Sequence, residues 1–127
     1  MKKIITTLNA PAPIGPYNQA ILTKDNLYVS GQIGLNPQTM ELVGDNIQDE
    51  TRQVMENLKS VLLAAEMNFE NVVKSTIYLS DMNDFGQVNE IYGTYFDAET
   101  APARETVAVK TLPKNVRVEI SMIAQLE

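Results

Sequence analysis

Six apolar residues at alternate positions, Val116, Val118, Ile120, Met122, Ala124 and Leu126, run through the end of this chain. A β-strand turns successive side chains to opposite faces, so this row specifies a long strand with one face in a core. The same strand sends Arg117, Glu119, Ser121, Ile123 and Gln125 the other way. Upstream, the alternation in Pro102 to Lys110 sets Val107 and Val109 on one side, expected to be core, and Arg104, Thr106, Ala108 and Lys110 on the other. Arg104 and Glu119 are thereby expected on a common face away from the core. A mixed face of this kind is either wetted by solvent or packed on another subunit, and alternation alone does not choose between these.

The rest of the chain reads as strands and two helices. Ile4 and Ile5 open a short strand, which the prolines of Asn9-Ala10-Pro11-Ala12-Pro13-Ile14-Gly15-Pro16 end by fixing φ and removing ladder donors. Gln19 to Leu22 is a strand, Lys24-Asp25-Asn26 a hairpin turn, and Leu27 to Ile33 the returning strand, with Gly31 and Gly34 where backbone bends or approaches something closely. From Asn46 or Asp49, either of which can cap free N–H groups, Val54, Leu58, Val61, Leu62 and Ala65 trace one helical stripe that is expected to stop near Met67-Asn68. Val72 to Ser80 alternates as a strand, so the helix between strands suggests a βαβ crossover. A second helix is expected over Phe85 to Phe96, with Asp84 as its cap, followed by the two strands joined through Leu112-Pro113-Lys114-Asn115. The sum is one α+β domain over residues 1–127, a single sheet with two helices packed on one face.

Composition narrows the chemistry. At 127 residues the chain is the size of one domain, and no run approaches the roughly 20 apolar residues of a membrane span. Met1-Lys2-Lys3-Ile4-Ile5 is too short for a secretory signal and reads as strand. A soluble protein with no membrane partner is expected. Zero Cys removes disulfides and thiolate chemistry and fits a reducing, cytoplasmic setting, while zero His removes imidazole bases and the commonest metal ligand. No metal site is expected, and any catalysis rests on carboxylates, Tyr, Lys, Arg, hydroxyls or backbone. A net charge of −6 disfavours a nucleic-acid partner, although Arg104, Lys110, Lys114 and Arg117 leave room for a small anion.

Arg104 presents a flat fork of donors suited to a carboxylate, and Glu119 can act as a base on water. By the residues alone, a cross-strand salt bridge between Glu119 and Arg104 or Lys110 is the plainer reading. Tyr17 either aims its phenol into a site or covers apolar surface. Gly31 either opens a backbone N–H to a ligand or marks a bulge, and Asn89 lies at the edge of a helical apolar stripe. Gly31-Gln32-Ile33-Gly34 lacks the spacing and lysine of a phosphate loop, so nucleotide binding is rejected.

Taken together, Asn9-Ala10-Pro11, Ile14-Gly15-Pro16-Tyr17, Ser30-Gly31-Gln32-Ile33, Asn36-Pro37, Asn83-Asp84-Phe85, Val88-Asn89, Pro102-Ala103-Arg104, Leu112-Pro113-Lys114 and Val118-Glu119-Ile120 resemble the reactive intermediate (imine) deaminase family, the RidA or YjgF-like proteins. The resemblance spans nearly the whole chain. It implies a chorismate-mutase-like α+β fold and a homotrimer whose sheets line the interior, with three sites at subunit clefts. It also implies hydrolysis of 2-imino acids to 2-oxo acids and ammonia without a cofactor. Under it, Arg104 grips the substrate carboxylate, Glu119 orders the attacking water, and Tyr17, Gly31 and Asn89 line the cleft. Two positions depart from the family's pattern. Glu105 stands where a small residue is usual, and alternation points it away from Arg104. Thr106 stands where cysteine is frequent and shares Arg104's face, so it joins the substrate-binding set and leaves substrate preference open. Glu66, where relatives often carry glycine, suggests a different helix end. The alternative is a non-catalytic trimer that senses a 2-oxo acid or amino acid in the same cleft.

Overall fold

In chain order, the computed structural model, which describes residues 2–127, contains β1 (Lys2–Ile5), β2 (Ala20–Thr23), β3 (Asn26–Gln32), α1 (Ile47–Ala64), β4 (Val72–Leu79), α2 (Phe85–Gly93), β5 (Ala103–Ala108) and β6 (Val118–Gln125). The strands form one six-stranded sheet ordered β1-β2-β3-β6-β4-β5. β6 is antiparallel to both β3 and β4, so α1 joins two parallel strands with β6 inserted between them. α2 makes the second crossover, between the adjacent parallel strands β4 and β5.

The C-terminal row is core as the alternation requires: Val116, Val118, Ile120, Met122 and Ala124 are all buried, whereas Leu126, beyond the strand, is exposed. Val54, Leu58, Val61 and Leu62 of α1 pack on this face without exposure. Asn46 is the cap of α1, its Oδ1 accepting from Asp49 N at 2.8 Å. The helix ends earlier than Met67-Asn68. Glu66, at φ 60°, takes the left-handed position, and Met67 N returns to Leu62 O at 2.9 Å while its side chain is buried. Asn68 instead caps the turn Phe69–Asn71. α2 is also shorter than expected, ending at Gly93, and the Asp84 side chain makes no capping bond. Asp81 caps the preceding turn Met82–Asp84 through Asn83 N.

The edge strand β5 departs furthest from the expected pattern. Parallel pairing with β4 sets Arg104 beside Ser75 and Thr106 beside Ile77, both on the helix-covered face, while Val107 beside Tyr78 is 43% exposed on the open face. Apolar alternation failed there because strand partnership, not hydropathy, sets which way an edge strand turns. Glu105 points away from Arg104, as expected, and pairs with Lys74 on the open face at 3.5 Å.

A buried Gln19 holds the proline-rich loop. Its Oε1 accepts from Thr7 N at 2.7 Å, and its Nε2 donates to the carbonyls of Thr7, Ala10 and Pro11 at 3.0, 3.2 and 2.9 Å. Gln19→Ala leaves these backbone groups unpartnered, and we expect urea unfolding to show a loss of about 2 kcal/mol or more. An unchanged midpoint would mean that the loop is held by its prolines alone.

Candidate active site

The sequence-predicted residues fall into two groups on opposite faces of the sheet. Arg104 and Thr106 project from edge strand β5 to the helix side, where Asn89 of α2 meets Arg104. Glu119 projects from β6 to the open side, in register with Tyr78 and Val107, and Gly31 lies against it from β3. Arg104 and Glu119 therefore share no face, contrary to the expectation from alternation. β4 also stands between their strands, which removes any cross-strand salt bridge. The physical reason is parity: Arg104 is in register with buried Ser75, and Glu119 with half-buried Tyr78, positions three residues apart on β4 and therefore on opposite faces.

The arginine group is prepared for an anion. Arg104 Nη1 donates to Asn89 Oδ1 at 2.7 Å. Its Cζ lies 5.1 Å from the ring centre of Tyr92 and 5.7 Å from that of Phe85, within cation–π range. The Tyr92 hydroxyl donates to Ser75 Oγ at 2.9 Å, which fixes the ring beneath the guanidinium. Burial pushes the Tyr92 phenol above its usual value, although the Ser75 hydrogen bond and the Arg104 charge act against it, so the ring stays a neutral platform. Among the described residues no carboxylate pairs with Arg104, which leaves most of its donor fork for a ligand. Beside it, the Thr106 hydroxyl oxygen is buried without a hydrogen-bond partner.

The glutamate group depends on a missing side chain. The β3–β6 register shifts between Val29 and Gln32, and a Cβ at Gly31 would lie 2.8 Å from Glu119 Cδ. Gly31 is thus both the expected bulge and the space into which the carboxylate folds. Burial raises the Glu119 pKa above the ordinary 4.5, with no charged neighbour contributing to the shift. Tyr17 N donates to Gly15 O at 2.8 Å, and the phenol oxygen accepts from Ile14 N at 3.4 Å. Tyr17 and Gly31 share the wall of a cavity of about 30 Å³ with Pro11, Ala12, Ile14 and Met40. Tyr17 also borders a wider groove of about 460 Å³ over the open sheet face.

Sequence reading missed Phe85, Tyr92 and Ser75 as the seat of Arg104. The signal was available: Phe85, Asn89 and Tyr92 stand at i, i+4 and i+7, so an amide interrupts an aromatic stripe on the helix face that meets β5.

Comparison with known proteins places the chain in a family. The family model described as Endoribonuclease L-PSP matches residues 7–126. A RutC family protein of Synechocystis is 55% identical over 125 residues, 98% of this chain and 96% of that one. The mouse protein named 2-iminobutanoate/2-iminopropanoate deaminase is 49% identical over 124 residues, 98% of this chain and 91% of that one. The crystal structure of RidA from an Antarctic Psychrobacter superimposes with a TM-score of 0.93 at 39% identity, covering 98% of this chain and 99% of that one. The fold is thus that of a small α+β protein with one mixed sheet and two helices. The chain belongs to the RidA/YjgF-like family, the same family that the L-PSP model describes.

The buried carboxylate makes a direct prediction. A ¹³C NMR titration of the Glu119 side chain has its midpoint above 4.5, and in Gly31→Ala, where the new methyl pushes the carboxylate into water, the midpoint falls. An identical midpoint in both proteins would sever Gly31 from Glu119.

Proposed function

We propose that this chain hydrolyses small 2-imino acids to 2-oxo acids and ammonia at clefts between the subunits of a homotrimer. The observation that carries this reading is a preset arginine on one sheet face, without a carboxylate partner among the described residues, and a half-buried glutamate on the other. No small molecule reaches both through the sheet, so in this reading the open, glutamate-bearing face of one copy meets the arginine edge of another. Exposed apolar side chains on that face support such contact: Ile4, Ile21, Tyr28 and Ile123 are in register across four strands, and Ile4, Tyr28 and Val107 are 52%, 46% and 43% exposed. Relatives named as deaminases support the reaction itself.

In the proposed cleft Arg104 holds the substrate carboxylate in two hydrogen bonds, with Asn89, Phe85 and Tyr92 fixing its plane. Thr106 forms the wall beside it and supplies a free hydroxyl. Glu119 accepts a proton from water as the water oxygen bonds to C2, the C=N electron pair moves to nitrogen, and the nitrogen takes up a proton from solvent. Glu119 then gives its proton to the amine of the tetrahedral intermediate. As the C–N bond breaks, the C2 hydroxyl passes its proton back to the Glu119 carboxylate, which releases it to solvent, and ammonia leaves a 2-oxo acid. Tyr17 and the backbone at Gly31 close the cleft on the glutamate side. An imine is already electrophilic, so placement and modest base catalysis suffice and the scheme uses no cofactor. The net charge of −6 weighs against RNA as substrate. A cysteine-free chain suits a reducing compartment, and the cytoplasm is the proposed location.

Arg104→Ala is expected to lower kcat/KM for imine loss by about 10²-fold, mostly through KM, and Glu119→Gln to lower kcat by about 10²-fold. Equal rates in either variant and the unchanged protein would remove that residue from the mechanism. The activity of the unchanged protein rises with pH through the elevated Glu119 pKa, and Glu119→Gln lacks that limb. Because burial disfavours the ionised form, Glu119→Gln is also expected to unfold no more easily at neutral pH. Any gain in stability disappears as pH falls below the carboxylate's unfolded value.

The split site allows a second test. When the two inactive variants are unfolded, mixed in equal amounts and refolded together, about one cleft in four receives an intact half from each partner and activity returns. Absence of recovery in mixed assemblies, or a monomer mass by light scattering, would overturn the shared cleft.

A further inference from the structure

Helix α1 carries a polar stripe on a face that is otherwise core. Glu50, Gln53 and Asn57 stand at i, i+3 and i+7, and both Glu50 and Asn57 are buried. The Glu50 carboxylate accepts from Arg117 N at 2.8 Å, Arg117 Nε at 2.7 Å and Val118 N at 3.2 Å. Asn57 Nδ2 donates to the carbonyls of Ile33 and Leu35, each at 3.0 Å, while its Oδ1 accepts from Gln53 Nε2 at 2.8 Å. Gly34 lies between those carbonyls and against Glu50, where a Cβ would come within 2.9 Å of the Glu50 backbone oxygen.

Two of these bonds end close to groups of the proposed site. Val118 immediately precedes Glu119, and Ile33 follows Gly31 by two residues. A buried ion pair adds little stability over a well-packed apolar core, whereas it does fix the relation between the segments it joins. We propose that Glu50 and Asn57 are positioning residues, through which α1 sets the distance between Gly31 and Glu119 and holds the Glu119 carboxylate where it takes a proton from water. This rests on the reading of Glu119 as the base. Around Glu119, β4 contributes Tyr78 and β3 contributes Gly31, and the charged groups on that face of β4 and β5, Lys74 and Glu105, pair with each other. Arg117, on the other side of Val118, is occupied by Glu50.

Glu50→Gln and Glu50→Ala remove the same charge, but only glutamine keeps an oxygen that can accept from the Arg117 and Val118 N–H groups. In the full-length assembled protein, Glu50→Ala is expected to lose ten- to a hundredfold in kcat for imine hydrolysis. KM stays within about twofold, since Arg104 is held separately by α2 and β5. Glu50→Gln recovers most of kcat. ¹³C titration of the Glu119 carboxyl supplies a readout that needs no turnover: its midpoint drops in Glu50→Ala and stays near the unchanged protein's in Glu50→Gln. Equal behaviour of the two variants, or a lowered melting temperature with kcat intact, overturns the proposal. If Glu50→Ala does not fold, Asn57→Ser takes its place with the same expected loss in kcat alone, and an unaltered kcat there overturns the proposal equally. A Glu119 titration that moves as expected, in a protein that hydrolyses no imine, supports the positioning and removes the proposed reaction instead.

Discussion

The carboxylate of Glu50, fully buried and held by three hydrogen bonds, is where the helical layer is tied to the sheet. A charge without water is costly, so the structure around it is constrained: Arg117 must reach back to it, the N-terminal end of β6 must offer its N–H groups, and position 34 must lack a side chain. With Asn57 two turns further along the same helix, this fixes the ends of β3 and β6 against α1. The apolar packing of Val54, Leu58, Val61 and Leu62 then fills the space between, which is the larger part of the stabilisation but the less specific one.

One-sided burial follows. Both helices lie on the same face, and the other face is left with half-exposed Ile, Tyr and Val beside a Lys–Glu pair. Such a surface is intermediate between a core and a solvated sheet. The two groups of polar residues divide between these faces, an arginine seated on aromatic rings and a glutamate folded into the space of a glycine. Each is organised within one chain, and neither touches the other. Within one copy the sheet itself separates the two groups, which is the feature the proposed shared cleft rests on.

Much of the fold was legible in the residues. The alternation of Val116 to Ala124 and the stripe from Val54 to Leu62 both name their buried faces correctly, because long strongly periodic segments have one way to hide their apolar side. Asn46 was legible as a cap. The end of α1 was not, because Glu66 accepts the left-handed conformation in order to bury Met67. The identities of Arg104, Glu119, Asn89 and Gly31 as chemically suited residues were readable from type and motif. Their grouping was not, and neither were Phe85, Tyr92 and Gln19, whose roles exist only through contacts with distant segments.

By itself, the sequence determined the secondary-structure periods, the exclusion of thiol and imidazole chemistry, and the residues able to bind a carboxylate or move a proton. These are local properties, written in residue type and spacing. Tertiary structure alone decided that β4 lies between β5 and β6 and pairs in parallel with β5, which turns Arg104 toward the helices and Glu119 toward the open face. Alternation tells which residues of one strand share a side. It carries no information about how the sides of two strands correspond, because that depends on which strand becomes the neighbour and in what register.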